Sequence, residues 1–340
     1  MSSLKYSYAL DGLRTFSIII TIFHHIDGVP SIIVGIRGVD IFLPLSGFLI
    51  TRSLLRSDYA HLVGYYTRRF YRLTPLYYFT FFSTVLLALV AHYLGVGESK
   101  MEQLKEMFLW GLFFSRELAD LEVAPTLFVQ SWTVGIQEKF FVTCPLVIIF
   151  FKNKRAMLLL VVALFCALIF YTLQNSQNPY LVRGYVGISF GVVAGIFFHS
   201  HRFFLNTNIS FVILLLGFWA CYNLNHQYRC LFISFSASLL IPSLYAEESW
   251  LRTFLSYKPI VFLGKLTYSI YMLHVLVLFL TKILLAKIGL NQWYIVFIVG
   301  YSFTVLLSHY VYKYLEEPVY MYGRKRSKFY DKKYNAPKKA

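Results

Sequence analysis

Residues 10–25 read LDGLRTFSIIITIFHH and residues 38–51 read GVDIFLPLSGFLIT, and these two apolar stretches decide the fold. Both have the apolar character of membrane-embedded segments, yet they contain Arg14, His25 and Asp40. Ionisable side chains are costly in hydrocarbon, so within a membrane they mark a functional site by default. We therefore expect a membrane protein whose chemistry is centred on this part of the chain.

The spacing of Arg14 and His25 predicts that both side chains face one shared cavity. On a continuous helix, the eleven residues between them correspond to roughly 16 Å and almost three full turns, so both lie on nearly the same face. His24 points about 100° away from His25 and cannot share that face. A single membrane histidine more simply forms an interhelical hydrogen bond, but the combination of Arg14, His25 and Asp40 favours a functional site.

Asp40 is predicted to lie at the depth of His25. The chain reverses near residue 32, so His25 precedes the reversal by about as many residues as Asp40 follows it. A carboxylate beside an imidazole holds one tautomer and stabilises the protonated form. We expect His25 and Asp40 to be catalytic, with His25 oriented by Asp40. Ser46, on the same segment as Asp40, is expected to contact the substrate.

The composition excludes an ordinary soluble domain. Hydrophobic residues make up 58% of the chain and charged residues only 14%, against about a quarter charged in typical soluble domains. We expect an all-α integral membrane protein. Spans of around 20 residues allow about ten transmembrane helices. They are predicted at about 15–33, 39–55, 73–95, 132–151, 156–173, 184–198, 208–224, 230–246, 260–286 and 291–314.

The positive charge follows the membrane topology. Most lysines and arginines lie on one side when both the N- and C-termini are cytoplasmic, so this orientation is predicted. Residues 1–322 are expected to form one transmembrane domain, and residues 323–340 a basic, disordered tail that contacts lipid headgroups. A net charge of +16 also suits nucleic acid, but its placement at membrane ends argues against such a partner. The four cysteines lack metal-binding spacing, and no metal is expected.

The pattern LDGLR, then His25, then GVDIF and SGFLIT resembles the acyltransferase 3 family of multi-pass membrane acyltransferases, which O-acylate polysaccharides, lipopolysaccharide or peptidoglycan. Further matches are an R-x-x-R pair at Arg69 and Arg72 and a tyrosine-rich element that ends at His274. The resemblance covers nearly the whole chain. It implies a bacterial inner-membrane O-acetyltransferase that uses acetyl-CoA and a glycan or lipid-linked sugar acceptor.

Arg69 and Arg72 lie three residues apart, so on a helix they present adjacent guanidinium groups suited to phosphate oxygens. Charge alone equally indicates cytoplasmic topology and contact with lipid phosphates. The resemblance implies a role with the acyl donor. We therefore expect Arg14, Arg69 and Arg72 to bind the nucleotide phosphates of acetyl-CoA, while its pantetheine arm extends between helices towards His25.

Two further motifs supply candidate site residues. QSWTVGIQEKFF, residues 130–141, resembles a family pattern with two adjacent acids, in which Glu138 matches the second acid and Gln137 replaces the first. Glu138 is expected to act as a second base or to hold an acceptor hydroxyl, unless it simply pairs with Lys139. In FLGKLTYSIYMLH, Tyr271 and His274 form a polar stripe predicted to contact substrate or a neighbouring helix.

Several alternatives remain open at this point. His25 either deprotonates the acceptor hydroxyl or carries the acyl group transiently. Buried charges also line transport pathways, so a transporter or flippase is an alternative, although no internal repeat is evident. A non-catalytic membrane assembly factor is a third. Some relatives have a fused SGNH-type esterase domain, for which 340 residues leave no room.

Overall fold

A computed structural model describes residues 6–34, 37–56, 62–93, 101–118, 128–150, 179–201, 204–223 and 226–335, with a few isolated positions from 158 to 166. Every element within these residues is helical. The first helices are α1 (Tyr8–Phe23), α2 (Ser31–Val34), α3 (Val39–Arg56), α4 (Val63–Tyr93), α5 (Met101–Leu112), a 3₁₀ turn (Arg116–Leu118) and α6 (Ser131–Phe150). There follow α7 (Pro179–His201), α8 (Thr207–Asn223), α9 (His226–Ala246), α10 (Trp250–Leu255), α11 (Lys258–Lys265), α12 (Thr267–Lys287), α13 (Trp293–Val311), a π-turn (Tyr312–Glu316) and α14 (Glu317–Asn335).

The protein is a multi-pass membrane protein. Within the described part of the chain, five helices are long and apolar enough to cross a bilayer: Val63–Tyr93, Tyr180–Ser200, Arg229–Ala246, Thr267–Lys287 and Trp293–Asp331. Ten crossings and cytoplasmic termini stay predictions. The predicted span 156–173 lies mostly outside the described residues.

Two predicted spans differ from the helices observed. The first begins earlier and ends at Phe23, so His25 is not on a continuous helix with Arg14. The His25 N–H instead donates to the Ile22 carbonyl at 3.0 Å, in a turn. The predicted span 260–286 is two helices that meet at Leu266. This break makes Tyr271 and His274 part of a separate helix, α12.

The basic tail is more ordered than predicted. Helix α14 continues to Asn335 and packs along α4, so the expectation of disorder was wrong for this segment. Arg68 on α4 donates to the carboxylate of Asp331 at 2.8 Å. A Cβ atom at Gly323 would lie 2.2 Å from the Cβ of Tyr71, so glycine permits the close contact. The domain boundary predicted after residue 322 falls inside this helix.

Helices α3 and α7 approach each other backbone to backbone. A Cβ atom at Gly191 would lie 2.0 Å from the carbonyl oxygen of Pro44, and one at Gly47 would lie 2.3 Å from that of Ile188. Small residues at such crossings let membrane helices gain van der Waals contact. This contact fixes the start of α3, and with it Asp40, against α7.

We expect Gly191→Leu to destabilise the protein by about 3 kcal/mol, because a backbone carbonyl cannot move aside as a side chain can. The measurement is thermal unfolding in detergent. Phe197→Leu is the matched control, since Phe197 lies on the same helix with 51% of its surface exposed. An unfolding midpoint for Gly191→Leu equal to that of the control would contradict the packing described.

Candidate functional site

A cavity of about 240 Å³ lies where the end of α1, the start of α3, α6, α7 and α12 meet. We call it the histidine cavity. It is lined by Thr21, His24, His25, Arg37, Gly38, Val39, Val129, Gln130, Trp132, Tyr180, Arg183 and Tyr271. The cavity brings the predicted residues His25 and Tyr271 together. It also contains polar and aromatic groups that sequence reasoning did not select.

His25 lies beside His274. Their ring centroids are 5.0 Å apart and the rings are nearly perpendicular, at 65°. His274 is fully buried, and its Nδ1 lies 2.7 Å from the backbone carbonyl oxygen of Tyr271. A carbonyl only accepts, so Nδ1 carries the proton in this contact and Nε2 presents a lone pair. That Nε2 is buried and has no hydrogen-bond partner among the described residues.

Tyr271 holds α12 against the residues before and within α6. Its hydroxyl donates to the Gln130 carbonyl at 2.9 Å and lies 2.6 Å from the Thr133 hydroxyl. The Gln130 side chain in turn donates to the Met272 carbonyl at 2.8 Å. Because the phenol is already engaged, Tyr271 positions the wall that carries His274. The predicted contact between Tyr271 and substrate is not tested by this geometry.

Asp40 has a different partner from the one predicted. Its two carboxylate oxygens accept from the Nε and Nη2 of Arg183, at 2.5 and 3.1 Å, and both side chains are buried. Among the described residues, no hydrogen bond joins Asp40 to His25. The bidentate guanidinium geometry of arginine explains the preference, because a planar fork satisfies both oxygens at once. Asp40 therefore fixes Arg183 in the cavity wall, and the prediction that it orients His25 was wrong.

The cavity wall carries groups suited to a polyhydroxylated ligand. The Oε1 atom of Gln130 is buried without a hydrogen-bond partner among the described residues, and can accept from a hydroxyl. Trp132 stacks on Tyr180, with centroids 4.9 Å apart, and the Arg183 guanidinium lies 5.6 Å from the Trp132 ring centre. The glutamine and tryptophan were inside a quoted motif, but neither ionises, so the search for titratable groups missed them.

A second group of predicted residues gathers elsewhere. Arg14, Arg69 and Arg72, here called the arginine cluster, are close enough for Arg72 to repel both other charges. Arg14 donates to Asp11 at 2.6 Å, and Asp11 also accepts from the Tyr6 hydroxyl. Arg14 is therefore largely neutralised by its own helix.

The other two arginines differ in exposure. The half-buried Arg69 lies 3.8 Å from the ring centre of Phe141, a close cation–π contact. Arg72 is exposed and lies 5.7 Å from the ring centre of Tyr320. Arg72 is consequently the member of the cluster most open to a ligand.

Glu138 faces this cluster. Its charge interacts favourably with that of Arg69, and its Oε1 is buried without a hydrogen-bond partner among the described residues. Lys139, the alternative partner considered for Glu138, instead binds Glu117. Ser46 donates to the Gln137 side-chain oxygen at 3.3 Å and is not among the residues that line the histidine cavity. The predicted site residues Glu138 and Ser46 thus lie apart from His25.

Glu316 was missed by sequence reasoning. Its carboxylate accepts from the Ser269 hydroxyl and interacts with the charge of Arg72. Glu316 ends the π-turn between α13 and α14. Such turns frequently occur at functional sites, but they have no clear sequence signature.

Three parts of the chain connect the histidine cavity with the arginine cluster. Helix α1 carries Arg14 in its first half and leads to His25, and Gln130, just before α6, is followed about two helical turns later by Glu138. On α12, Tyr268 donates to the carbonyl of Leu73, next to Arg72. His274 lies six residues further on, about 9 Å along the helix axis. The two sites therefore lie within reach of one extended ligand.

Metal ligands do not cluster in the part of the chain that the structure describes: no group of three histidine, cysteine, aspartate or glutamate side chains is arranged to hold an ion.

Bacterial proteins of known classification match nearly the whole chain in sequence. YrhL of Bacillus subtilis is 26% identical over 94% of this chain and 56% of its own length. The peptidoglycan O-acetyltransferase OatA of Listeria monocytogenes is 24% identical over 93% of this chain and 56% of its own. The O-acetyltransferase OatA of Staphylococcus aureus is 25% identical over 98% of this chain and 60% of its own length. The chain thus spans a little over half the length of these curated relatives.

No solved structure matches the chain. The family model described as an acyltransferase domain matches residues 7–313, which include the histidine cavity and the arginine cluster. The chain therefore belongs to the acyltransferase 3 family that its motifs indicate.

Proposed function

We propose that this protein is an O-acetyltransferase that moves an acetyl group from acetyl-CoA to a sugar hydroxyl of peptidoglycan or of its lipid-linked precursor. The donor binds at the arginine cluster from the cytoplasmic side of the bacterial plasma membrane. Its pantetheine arm reaches between α1, α6 and α12 to the histidine cavity, where the acceptor enters from the opposite side. Both termini are then cytoplasmic, and the remaining predicted spans complete the bundle.

One observation carries the proposal: the arginine cluster and the histidine cavity are joined by the same helices. On α1, the nine residues from Arg14 to Phe23 give roughly 14 Å of helix rise before the turn that carries His25, which suits a long, thin donor whose charged end and reactive end bind apart. Phosphate oxygens match the exposed guanidinium of Arg72. The unpartnered Gln130 Oε1 suits a sugar hydroxyl at the other end.

His25 performs the chemistry in this proposal. The imidazole takes the proton of the acceptor hydroxyl as its oxygen attacks the thioester carbonyl carbon. The C–S bond then breaks, an O-acetyl ester remains on the sugar, and the imidazolium returns its proton to the leaving thiolate. If His25 attacks first, its nitrogen bonds to the acetyl carbon, the C–S bond breaks and the CoA thiolate leaves. The sugar oxygen then attacks the acetyl carbon, the C–N bond breaks, and the hydroxyl proton is transferred to the thiolate.

The relatives favour peptidoglycan as the acceptor. The OatA of Listeria monocytogenes is named as a peptidoglycan O-acetyltransferase, whereas none of the three relatives is named for lipopolysaccharide, one of the substrates that the family resemblance implies. The histidine cavity, of about 240 Å³, is much smaller than a glycan chain, so in this proposal only the sugar that carries the accepting hydroxyl enters it.

The arginine cluster gives the first test. Protein in lipid nanodiscs is supplied with labelled acetyl-CoA and peptidoglycan fragments, and base-labile label on the glycan is counted. We expect Arg72→Ala to raise the KM for acetyl-CoA by about 10- to 100-fold, since a hydrogen bond to a charged group contributes about 1.5–3 kcal/mol. The KM for acetyl-pantetheine, which lacks the nucleotide phosphates, should not change.

Arg326→Ala is the matched control, because Arg326 is an exposed arginine on α14 that contacts Tyr322. Equal loss with both donors would mean that Arg72 supports the fold and does not bind phosphate. Wild-type protein that moves no label to any glycan, but releases a solute or lipid across the bilayer, would overturn the proposal in favour of a transporter.

A further inference from the structure

We infer that His274 is a positioning residue for His25: its Nε2 accepts a hydrogen bond from an N–H of the His25 ring and so selects the His25 tautomer used in the reaction. This inference rests on the proposed function for its catalytic consequence. The tautomer itself is a property of the free protein and can be measured without any substrate.

The His274 ring is held so that its Nε2 can accept a hydrogen bond. Its Nδ1 is committed to the Tyr271 carbonyl at 2.7 Å, and Tyr271 is held by Gln130 and Thr133. This chain of hydrogen bonds prevents the His274 ring from turning over, so Nε2 keeps its lone pair. A fully buried nitrogen without a hydrogen-bond partner costs free energy. It therefore needs a donor from the neighbouring cavity.

His25 is at the right distance to be that donor. Imidazole nitrogens lie roughly 1 Å from the ring centre, so a centroid separation of 5.0 Å leaves about 3 Å between facing nitrogens, the length of a hydrogen bond. In the structure the rings meet edge to face at 65°, and a rotation of the His25 ring completes the contact. The second His25 nitrogen then holds the lone pair that acts as base or nucleophile.

His274 supplies the function that Asp40 was expected to supply. In many histidine-dependent enzymes, a carboxylate selects the imidazole tautomer. Here the carboxylate is occupied by Arg183. A neutral imidazole selects the tautomer equally well, but it stabilises a protonated His25 less than a carboxylate does. This suits a reaction in which the proton moves on quickly to the departing thiolate.

The test compares two amide variants of His274. The side-chain oxygen of glutamine can replace Nε2 as an acceptor, whereas asparagine is too short to reach His25. Full-length protein is labelled with ¹⁵N-histidine in nanodiscs, and the His25 signals are assigned with His25→Gln. We expect one fixed tautomer in wild type and in His274→Gln, and averaged signals in His274→Asn.

The rate of acetyl transfer should fall in the variant that loses the fixed His25 tautomer. We expect His274→Asn to lower kcat for acetyl transfer by about 10- to 100-fold, the effect of one lost hydrogen bond, with the KM for acetyl-CoA unchanged. His274→Gln should recover most of this loss. His309→Gln is the control, because His309 lies in a groove with Phe262 and Tyr301, away from the cavity.

Unchanged His25 signals in His274→Asn would overturn the inference, whatever the activity. An equal loss of kcat in both amide variants, with the His25 tautomer unchanged, would overturn it as well. If wild type shows a fixed tautomer that His274→Asn abolishes but transfers no acetyl group, then the positioning contact stands and the proposed function fails. Thermal unfolding of each variant identifies any general loss of folding.

Discussion

His25→Ala is expected to lower the rate of acetyl transfer by about 10³-fold while leaving acetyl-CoA binding intact. A positioned base contributes about 10²–10⁴ to the rate, and alanine removes both the base and any nucleophile. Binding should persist because Arg69 and Arg72 lie on α4 and Arg14 lies about two and a half turns before the end of α1. The measurements are transfer of labelled acetyl to glycan and equilibrium binding of acetyl-CoA in nanodiscs.

His24→Ala is the matched control. His24 lines the same cavity but is exposed, whereas the ring of His25 lies beside that of His274. We expect less than about a threefold change in transfer for this variant. If His24→Ala abolishes transfer and His25→Ala does not, the catalytic assignment is wrong. Label retained on wild type but not on His25→Ala, in the absence of acceptor, would favour the acetyl-imidazole route.

The second large effect concerns stability. Asp40→Ala is expected to destabilise the fold by about 3–5 kcal/mol, because it leaves the Arg183 charge buried without its partner. Both side chains are less than a tenth exposed, so water compensates little. Chemical or thermal unfolding in detergent measures the change. Asp27→Ala removes an exposed ion pair with Lys282 and should cost less than about 1 kcal/mol.

A double variant separates stability from function. Asp40→Leu/Arg183→Met replaces the buried pair with apolar side chains, and such replacements are often neutral in stability. We expect it to unfold close to wild type while acetyl transfer to glycan stays low, since the cavity wall has lost Arg183. Full activity in the double variant would mean that the ion pair serves packing alone. Persistent instability would mean that the site requires charge.

The sequence predicted the membrane class and the family, and it selected Arg14, Arg69 and Arg72, which the structure brings close together. These came from signals that act locally: apolar length, charge within apolar segments and motif spacing. Arg69 and Arg72 were found because three-residue spacing on a helix is a local property. Similarly, Tyr271 and His274 are close to each other because they lie three residues apart on one helix.

The partners across helices were less predictable. Depth matching placed Asp40 beside His25, but depth does not give the direction in which a side chain points around the helix. Arg183 is distant in sequence, and its competition for Asp40 depends on how α7 packs against α3. In addition, α1 ends at Phe23, whereas the sequence interpretation assumed one continuous helix from Arg14 to His25. Errors in the site therefore arose from tertiary packing and not from residue chemistry.

The long helix from Trp293 to Asp331 has a consequence for how the protein sits in its bilayer. Its 39 residues extend about 58 Å, whereas the hydrocarbon layer is about 30 Å thick. The excess is basic and is clamped to α4 by the pair of Arg68 and Asp331. Sliding inwards by one turn would force charges into hydrocarbon, at about 2.5–3.5 kcal/mol each near the centre. The basic end of this helix therefore opposes sliding of the bundle into the hydrocarbon when lipid composition changes membrane thickness.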